Sequence, residues 1–402
     1  MKQVNYSTVG FTDRDNQGIA GIEQGRDAEL RERDGPLRLS LDIRVQYAVR
    51  EELADAMKTF QAIGAAGTVM EVATGEILAL VSLPDFDPNR VPQSSANARF
   101  NRATLGIYEP GSTFKILTTA MALEYGTATL EQKFDATVPL RVARYTIRDH
   151  HPENRWLSVP EIFVYSSNVG AARMALAVGP ERQRAFLDSM GLLRRPGIEL
   201  AEAGAPLFPK RWNDVSTITI AYGHGIAVSQ LQLASAFAAV VNGGTRITPS
   251  LLARDDAPPA PGERLLSPET SEALRVLLRL NVLKGTGRQA DAEGFEVGGK
   301  TGTAEKAIAG GYDPNALVSS FVAAFPMDAP RYAVLVMLEE PKGTDATQGY
   351  ATAGWTAAPA ASAIVARVAP LLGVAPVKRT ESKTADALMV SLRGRKADVA
   401  AF

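Results

Sequence analysis

Three segments of this 402-residue chain hold residue types that could do chemistry together: Ser112-Thr113-Phe114-Lys115, Ser166-Ser167-Asn168 and Lys300-Thr301-Gly302-Thr303. A serine hydroxyl is a weak nucleophile until a base takes its proton. Lysine can be that base only when neutral, and burial or a second nearby cation pushes its pKa down toward working pH. Ser112 and Lys115 stand three apart, so on the first turn of a helix they share a face and the amine reaches the hydroxyl. The helix amino terminus adds a positive potential that favours the developing anion. Pro110-Gly111 permits a sharp entry to that turn, and the apolar run from Ile116 to Leu123 suits a buried helix behind it.

Ser166 and Asn168 could shuttle a proton and hold a substrate carbonyl. Alone they read as a loop or helix-end cluster, because Ser and Asn commonly cap helices. They follow Ile162-Phe163-Val164-Tyr165, inside a helical region that opens at Ser158-Val159-Pro160-Glu161. That opening has the form of a capping box with proline at the first helical position. Lys300-Thr301-Gly302-Thr303 follows Val297-Gly298-Gly299, and glycines around a strand mark close approach of a backbone or a ligand. A lysine and two hydroxyls on that edge can bind a carboxylate, and a backbone N–H there can join an oxyanion hole. Read alone, the segment is a glycine-rich turn with a solvated lysine. Read together and in this order, the three segments equip acyl transfer through a covalent serine ester, with no metal and no catalytic histidine.

The elements that must position them follow from periodicity. Leu39-Leu41-Ile43 alternate like a strand, and Ile43, Tyr47, Val49, Leu53, Met57 and Phe60 form one apolar stripe at helical spacing. Residues 67–72 and 76–81 flank Ala73-Thr74-Gly75 as a hairpin, with Gly75 able to supply a positive φ. Strands are predicted at Ser319–Phe325 and Tyr332–Leu338 around a loop with Pro326 and Pro330, after the strand that carries Lys300. A helix opens at Ser267-Pro268-Glu269 and runs through Leu274, Val276, Leu277 and Leu280. Strands at both ends with a helical centre predict an antiparallel sheet closed late in the chain, with helices packed on it.

Bulk composition excludes several classes. Hydrophobic residues are 46%, charged residues 22% and the formal net charge is −1, so nothing favours nucleic acid or an acidic membrane surface by bulk electrostatics. The absence of cysteine removes disulfides, a thiolate nucleophile and Cys-ligated metal. Residues 1–6 have no apolar core of a signal peptide. The run Ala357–Val377 is interrupted by Pro359, Arg367, Pro370 and Gly373, which predicts a packed helix and a soluble chain. Length suggests two to three domains or one large mixed domain. His150 and His151, beside Asp149 and Glu153, lack the converging ligands of a metal site. His224 between glycines reads as structural. Trp156, Trp212 and Trp355 read as packing residues, with Trp355 placed to line the cleft.

S-x-x-K, an S-x-N type triplet and K-T-G are shared with penicillin-binding proteins and some β-lactamases. The chain resembles the class B penicillin-binding proteins, D,D-transpeptidases of bacterial cell-wall synthesis, over roughly Gly21 to Ala375. The likeness extends to Arg102-Ala103 through Lys115, to Tyr222-Gly223-His224-Gly225-Ile226-Ala227-Val228-Ser229, Leu231-Gln232-Leu233-Ala234 and Asn242-Gly243-Gly244, and to Gly21-Ile22-Glu23. Within the class it is most similar to the division-specific enzyme of Gram-negative bacteria.

That resemblance implies an α+β fold of the penicillin-binding transpeptidase and serine β-lactamase type, an antiparallel sheet packed between helices. Residues 1–36, polar, glycine-rich and without a sustained period, read as an irregular lead-in or the remnant of a larger module; the resemblance would make them a remnant of an amino-terminal pedestal, with 37–376 the transpeptidase domain and 377–402 a polar, mobile tail. Ser112 would be acylated by the donor stem peptide, with Lys115 its base and Ser166 and Asn168 serving proton transfer and positioning. Lys300, Thr301 and Thr303, with Gly302 between them, would hold the terminal carboxylate, and the amides of Ser112 and Thr303 would form the oxyanion hole. Implied partners are peptidoglycan stem peptides, β-lactam antibiotics, a membrane glycosyltransferase and other division proteins, with no cofactor and no nucleic acid. Members normally carry a membrane anchor and a longer pedestal, so the chain is expected to be the periplasmic part of a protein held in the inner membrane. Two other functions fit the motifs: a serine β-lactamase, usually shorter and quick to hydrolyse its acyl-enzyme, and a non-catalytic docking protein, against which intact Ser112, Lys115 and Lys300 argue.

Overall fold

The computed structural model describes residues 6–143, 145–254, 262–308 and 311–377. Five antiparallel strands form the central sheet: β1 (Gly64–Glu71), β2 (Ile77–Leu83), β3 (Gly298–Ile308), β4 (Gly311–Phe325) and β5 (Tyr332–Glu339), in the order β3-β4-β5-β1-β2. The hairpin read at residues 67–81 is β1–β2, turned at Gly75 with φ 76°. The two carboxy-terminal strands are also where the sequence puts them. β5 pairs with β1 from Tyr332↔Glu71 to Glu339↔Gly64, so strands from the two ends of the chain meet at the sheet centre.

β5 is buried along its whole length because both faces of the sheet are covered. Its side chains divide by the period of two. Ala333, Leu335 and Met337 enter one core, and Tyr332, Val334, Val336 and Leu338 the other. The second core is closed by α1 (Ile43–Thr59) and α8 (Ala357–Leu371). The first is closed by α2 (Lys115–Glu124), α3 (Val159–Val164), α4 (Asn168–Val178), α6 (Gln230–Val241) and α7 (Pro268–Lys284), with α5 (Asp214–Ile220) against α4. This is the expected α+β architecture, helices on both faces of an antiparallel sheet.

Several local expectations change. Leu39 makes only a bridge to Leu252, and Ile43 starts α1 instead of ending a strand, because Asp42 caps that helix through the Arg44 N–H. The stripe on α1 holds at Val49 and Leu53, but Ile43 and Tyr47 are exposed and Val45 and Ala48 take the buried positions. Pro160 is the second residue of α3, where it is still free of an intrahelical donor's duty. The lead-in is not irregular: it holds short helices at Tyr6–Val9, Gly21–Gly25 and Asp27–Glu32 and a ribbon of Phe11–Thr12 with Gly18–Ala20. It packs on the main body, with Ile22 in the first core and the Thr8 hydroxyl donating to the Leu80 carbonyl at 3.0 Å. Trp156, read as packing, is exposed on the strand Trp156–Ser158. The tail from Lys378 lies outside the described residues. No helix among the described residues is long and apolar enough to cross a membrane.

Candidate active site

Ser112 lies in a 3₁₀ turn, Gly111–Phe114, that runs directly into α2. The turn sits against β3 at backbone distance. Gly111 has φ 56°, and a Cβ on it would lie 2.6 Å from the Thr303 carbonyl oxygen; one on Gly302 would lie 2.5 Å from the Pro110 carbonyl. Only glycine fits at both, so the nucleophile's turn and the third motif are held together by what their glycines lack. The Thr113 hydroxyl donates to the Pro110 carbonyl at 2.8 Å and the Gly111 N–H to Gly223 at 3.2 Å, fixing the turn.

Lys115 follows on the same face and is buried. Its Nζ lies 3.0 Å from Ser112 Oγ, 3.0 Å from Ser166 Oγ and 2.7 Å from Asn168 Oδ1, and it also meets the Ser166 carbonyl oxygen. Two of these neighbours, the Ser166 carbonyl and the Asn168 amide oxygen, can only accept. A neutral amine has two hydrogens and one lone pair, so donating to both leaves the lone pair for a hydroxyl. That is the arrangement a base for Ser112 needs. Burial pushes the Lys115 amine well below its ordinary value, the charge of Lys300 pushes the same way, and Asp149 opposes them.

The second motif is not inside one continuous helix but spans the break between α3 and α4. α3 ends at Val164, Ser166 takes a left-handed backbone (φ 57°), and Ser167 caps α4 by accepting from the Gly170 N–H at 2.9 Å. The break has a physical purpose: it aims both the carbonyl and the hydroxyl of Ser166 at one amine. Asn168 opens α4, with its Nδ2 donating to the Arg148 carbonyl at 3.0 Å.

Lys300 on the edge strand β3 is fully buried, which overturns the reading of a solvated lysine. Its Nζ donates to Ser166 Oγ at 3.0 Å and lies 3.4 Å from the hydroxyls of Thr286 and Thr301, which meet each other at 2.6 Å. Burial pushes its pKa down to about 7. Thr303 accepts the Ala353 N–H at 3.0 Å, in the segment where Trp355 stacks on Tyr350. The structure thus brings Ser112, Lys115, Ser166, Asn168 and Lys300 into one connected group, with Thr301, Gly302 and Thr303 alongside.

Sequence reading missed Asp149 and Thr286 as parts of this group, and Asn281, whose amide donates to the Gly299 carbonyl at 2.8 Å and steadies β3. It also missed Glu109, next to Pro110. The Glu109 carboxylate accepts from the Gly225 N–H at 2.8 Å and the Tyr312 hydroxyl at 2.9 Å and lies 3.0 Å from His224 Nδ1, tying the nucleophile's approach to two other segments. Burial and that carboxylate push the Tyr222 phenol up to about 12 and the Tyr312 phenol higher. His224 is therefore part of a clamp. Among the described residues no cluster of three His, Asp or Glu could hold a metal ion.

This geometry agrees with what the chain is similar to. Residues 65–365 match the family model described as the penicillin binding protein transpeptidase domain, and the chain belongs to that family. It is 40% identical to the probable peptidoglycan D,D-transpeptidase FtsI of Caulobacter vibrioides over 384 residues, 91% of this chain and 64% of that protein. It is 32% identical to the probable peptidoglycan D,D-transpeptidase PenA of Neisseria gonorrhoeae, over 92% of this chain and 68% of the relative. These likenesses place it with the class B, division-type branch. The transpeptidase domain of Burkholderia pseudomallei penicillin-binding protein 3 superposes with a TM-score of 0.76 at 32% identity, covering 86% of this chain and 100% of that one. Penicillin-binding protein 3 of Mycobacterium tuberculosis, solved with aztreonam, gives 0.83 at 26% identity over 93% and 89%. The chain spans 64% of the Caulobacter relative, somewhat less than two thirds.

Proposed function

We propose that this chain is the catalytic portion of a peptidoglycan D,D-transpeptidase that cross-links stem peptides through an acyl-enzyme on Ser112. The observation that carries the reading is one amine, Lys115 Nζ, 3.0 Å from both Ser112 Oγ and Ser166 Oγ. Neutral Lys115 takes the Ser112 proton as Oγ attacks the carbonyl of a terminal D-Ala-D-Ala bond. The backbone amides of Ser112 and Thr303, brought together where Gly111 meets Thr303, receive the oxyanion. The proton passes through the Ser166 hydroxyl to the departing D-alanine amine, and the C–N bond breaks to leave the ester on Ser112. An amine of a second stem peptide then attacks the ester, returns its proton along the same route and frees Ser112. The substrate carboxylate is held on the β3 edge by Thr301, Thr303 and the charge of Lys300.

The likeness to FtsI-type proteins supports a septal role, with the parent protein anchored in the inner membrane, this portion in the periplasm, and a membrane glycosyltransferase and other division proteins as partners. β-Lactams would acylate Ser112 because they present a strained amide to the same group. Incubation with penicillin and peptide mapping by mass spectrometry test this: one stable adduct is expected on Ser112, lost in Ser112→Ala. Rapid release of the adduct would point to a β-lactamase, and labelling that survives Ser112→Ala would refute the nucleophile.

A further inference from the structure

Between α2 and α3 the chain forms two short ribbons, Leu140–Val142 with Tyr145–Ile147 and Lys133–Asp135 with Trp156–Ser158. In the second, Phe134 pairs with Leu157 and both are buried, so the next pair along, Asp135 and Trp156, points outward. Trp156 is 53% exposed. Opposed residues of an antiparallel pair stand about 5 Å apart at Cβ, so the Asp135 carboxylate borders the indole. Asp135 Oδ1 accepts the N–H and the hydroxyl of Thr137, at 2.9 and 2.6 Å. Its Oδ2 faces Arg173 Nη2 on α4 at 3.7 Å, too far for a direct hydrogen bond. One hydroxyl fits that gap, donating to the carboxylate and accepting from the guanidinium. An exposed aromatic face beside a split ion pair suits a sugar ring. The C–H face of a pyranose covers the negative face of the indole, and a ring hydroxyl enters the gap. Because Asp135 and Arg173 balance each other's charge, the site suits a neutral polyol over an anion.

This face is joined to the catalytic group. Arg155, next to Trp156, donates from Nη1 to Glu161 Oε1 on α3 at 2.8 Å, and its guanidinium stands 5.7 Å from the centre of the Tyr165 ring. Tyr165 directly precedes Ser166, and both Arg155 and Tyr165 are half-buried, so an open strip leads from the second motif to Trp156. We propose that Trp156, Asp135 and Arg173 form a sugar subsite, which receives a pyranose ring of the glycan that carries the stem peptide. The proposal rests on the transpeptidase reading above and deepens it, extending recognition from the peptide to its sugar. The occupant follows from that continuity: a stem peptide held at Ser112 is joined at its other end to a sugar ring, and the strip leads outward from the same site.

The test is a titration followed by NMR. The chain has three tryptophans, so its ¹H,¹⁵N spectrum carries three indole N–H signals, and the one missing from Trp156→Phe belongs to Trp156. Disaccharide-linked pentapeptide, added to the Ser112→Ala chain to prevent turnover, should shift that signal saturably, and the same pentapeptide without sugars should leave it in place. In the active chain, kcat/KM for the sugar-linked peptide should exceed that for the bare peptide by about tenfold. Trp156→Ala should bring this ratio close to one, and Trp156→Tyr, which keeps an aromatic face, should retain most of it. A Trp156 signal that the sugar-linked peptide does not move overturns the proposal, as does one that the bare peptide moves equally, which would make the face a peptide site. A ratio that survives Trp156→Ala also overturns it. If Trp156→Ala fails to fold, the titration decides alone. Failure of penicillin to label Ser112 in the wild type, with the Trp156 shift intact, would instead defeat the transpeptidase reading.

Discussion

Lys115 and Lys300 face each other across a single hydroxyl: Ser166 Oγ lies 3.0 Å from each amine nitrogen. Both side chains are buried. This holds the two nitrogens within about 6 Å, where two positive charges disfavour each other. The charge of Lys300 therefore favours the neutral form of Lys115, and the hydroxyl between them is the natural path for a proton.

If Lys115 is the neutral base, arginine cannot replace it, because guanidinium keeps its proton at any accessible pH. Lys115→Arg should slow penicillin acylation by at least about 100-fold, within the range that a general base contributes. Stopped-flow acylation rates check this, and a loss smaller than about tenfold would assign the base elsewhere.

Lys300 disfavours the protonated form of Lys115, so Lys300→Ala should raise the Lys115 pKa. The acid limb of the acylation profile should then move to higher pH. Lys300 is itself pushed down to about 7, so its field is strongest below that pH, where the shift should be clearest. A limb that does not move, with affinity alone reduced, would leave Lys300 as a binding residue only.

Ser166 holds a backbone conformation that glycine adopts at no steric cost. Ser166→Gly should therefore unfold within about 1 kcal/mol of wild type. It should nonetheless acylate at least about 100-fold more slowly, having lost the shared hydroxyl. Differential scanning calorimetry and acylation rates on the same sample measure both, and full activity would remove Ser166 from the proton path.

Stability away from the site rests partly on Arg102, which is buried and donates to Glu339 at 2.7 Å, while Lys306 reaches the other Glu339 oxygen at 2.8 Å. Removing one partner of a buried pair leaves the other poorly compensated. Arg102→Met should cost about 3 kcal/mol in urea unfolding, with Ser112 labelling kept in the folded fraction. A variant as stable as wild type would contradict that weight.

The three motifs were legible because each is a local string, and so was the sheet, whose strands β1, β2, β4 and β5 carry strong apolar patterns bounded by Gly and Pro. What stayed hidden depends on contacts across the chain. Asp149 acts on Ser167 eighteen positions later, from a ribbon too short to show a period. Thr286 matters only because α7 delivers it to Thr301. The left-handed turn at Ser166 is set by the meeting of two helices, which propensity places inside one. On α1, Ile43 and Tyr47 look like core residues by type, yet the helix turns Val45 and Ala48 to the sheet instead.

The central claim is that Lys115 is neutral at working pH because it is buried beside Lys300. Titration of the Lys115 side chain by ¹³C,¹⁵N NMR, assigned by loss of the signal in Lys115→Arg, measures this directly. The amine should lose its proton well below the ordinary lysine value of about 10.4, and at a higher pH in Lys300→Ala than in wild type. An ordinary lysine titration, unchanged by Lys300→Ala, would contradict the account.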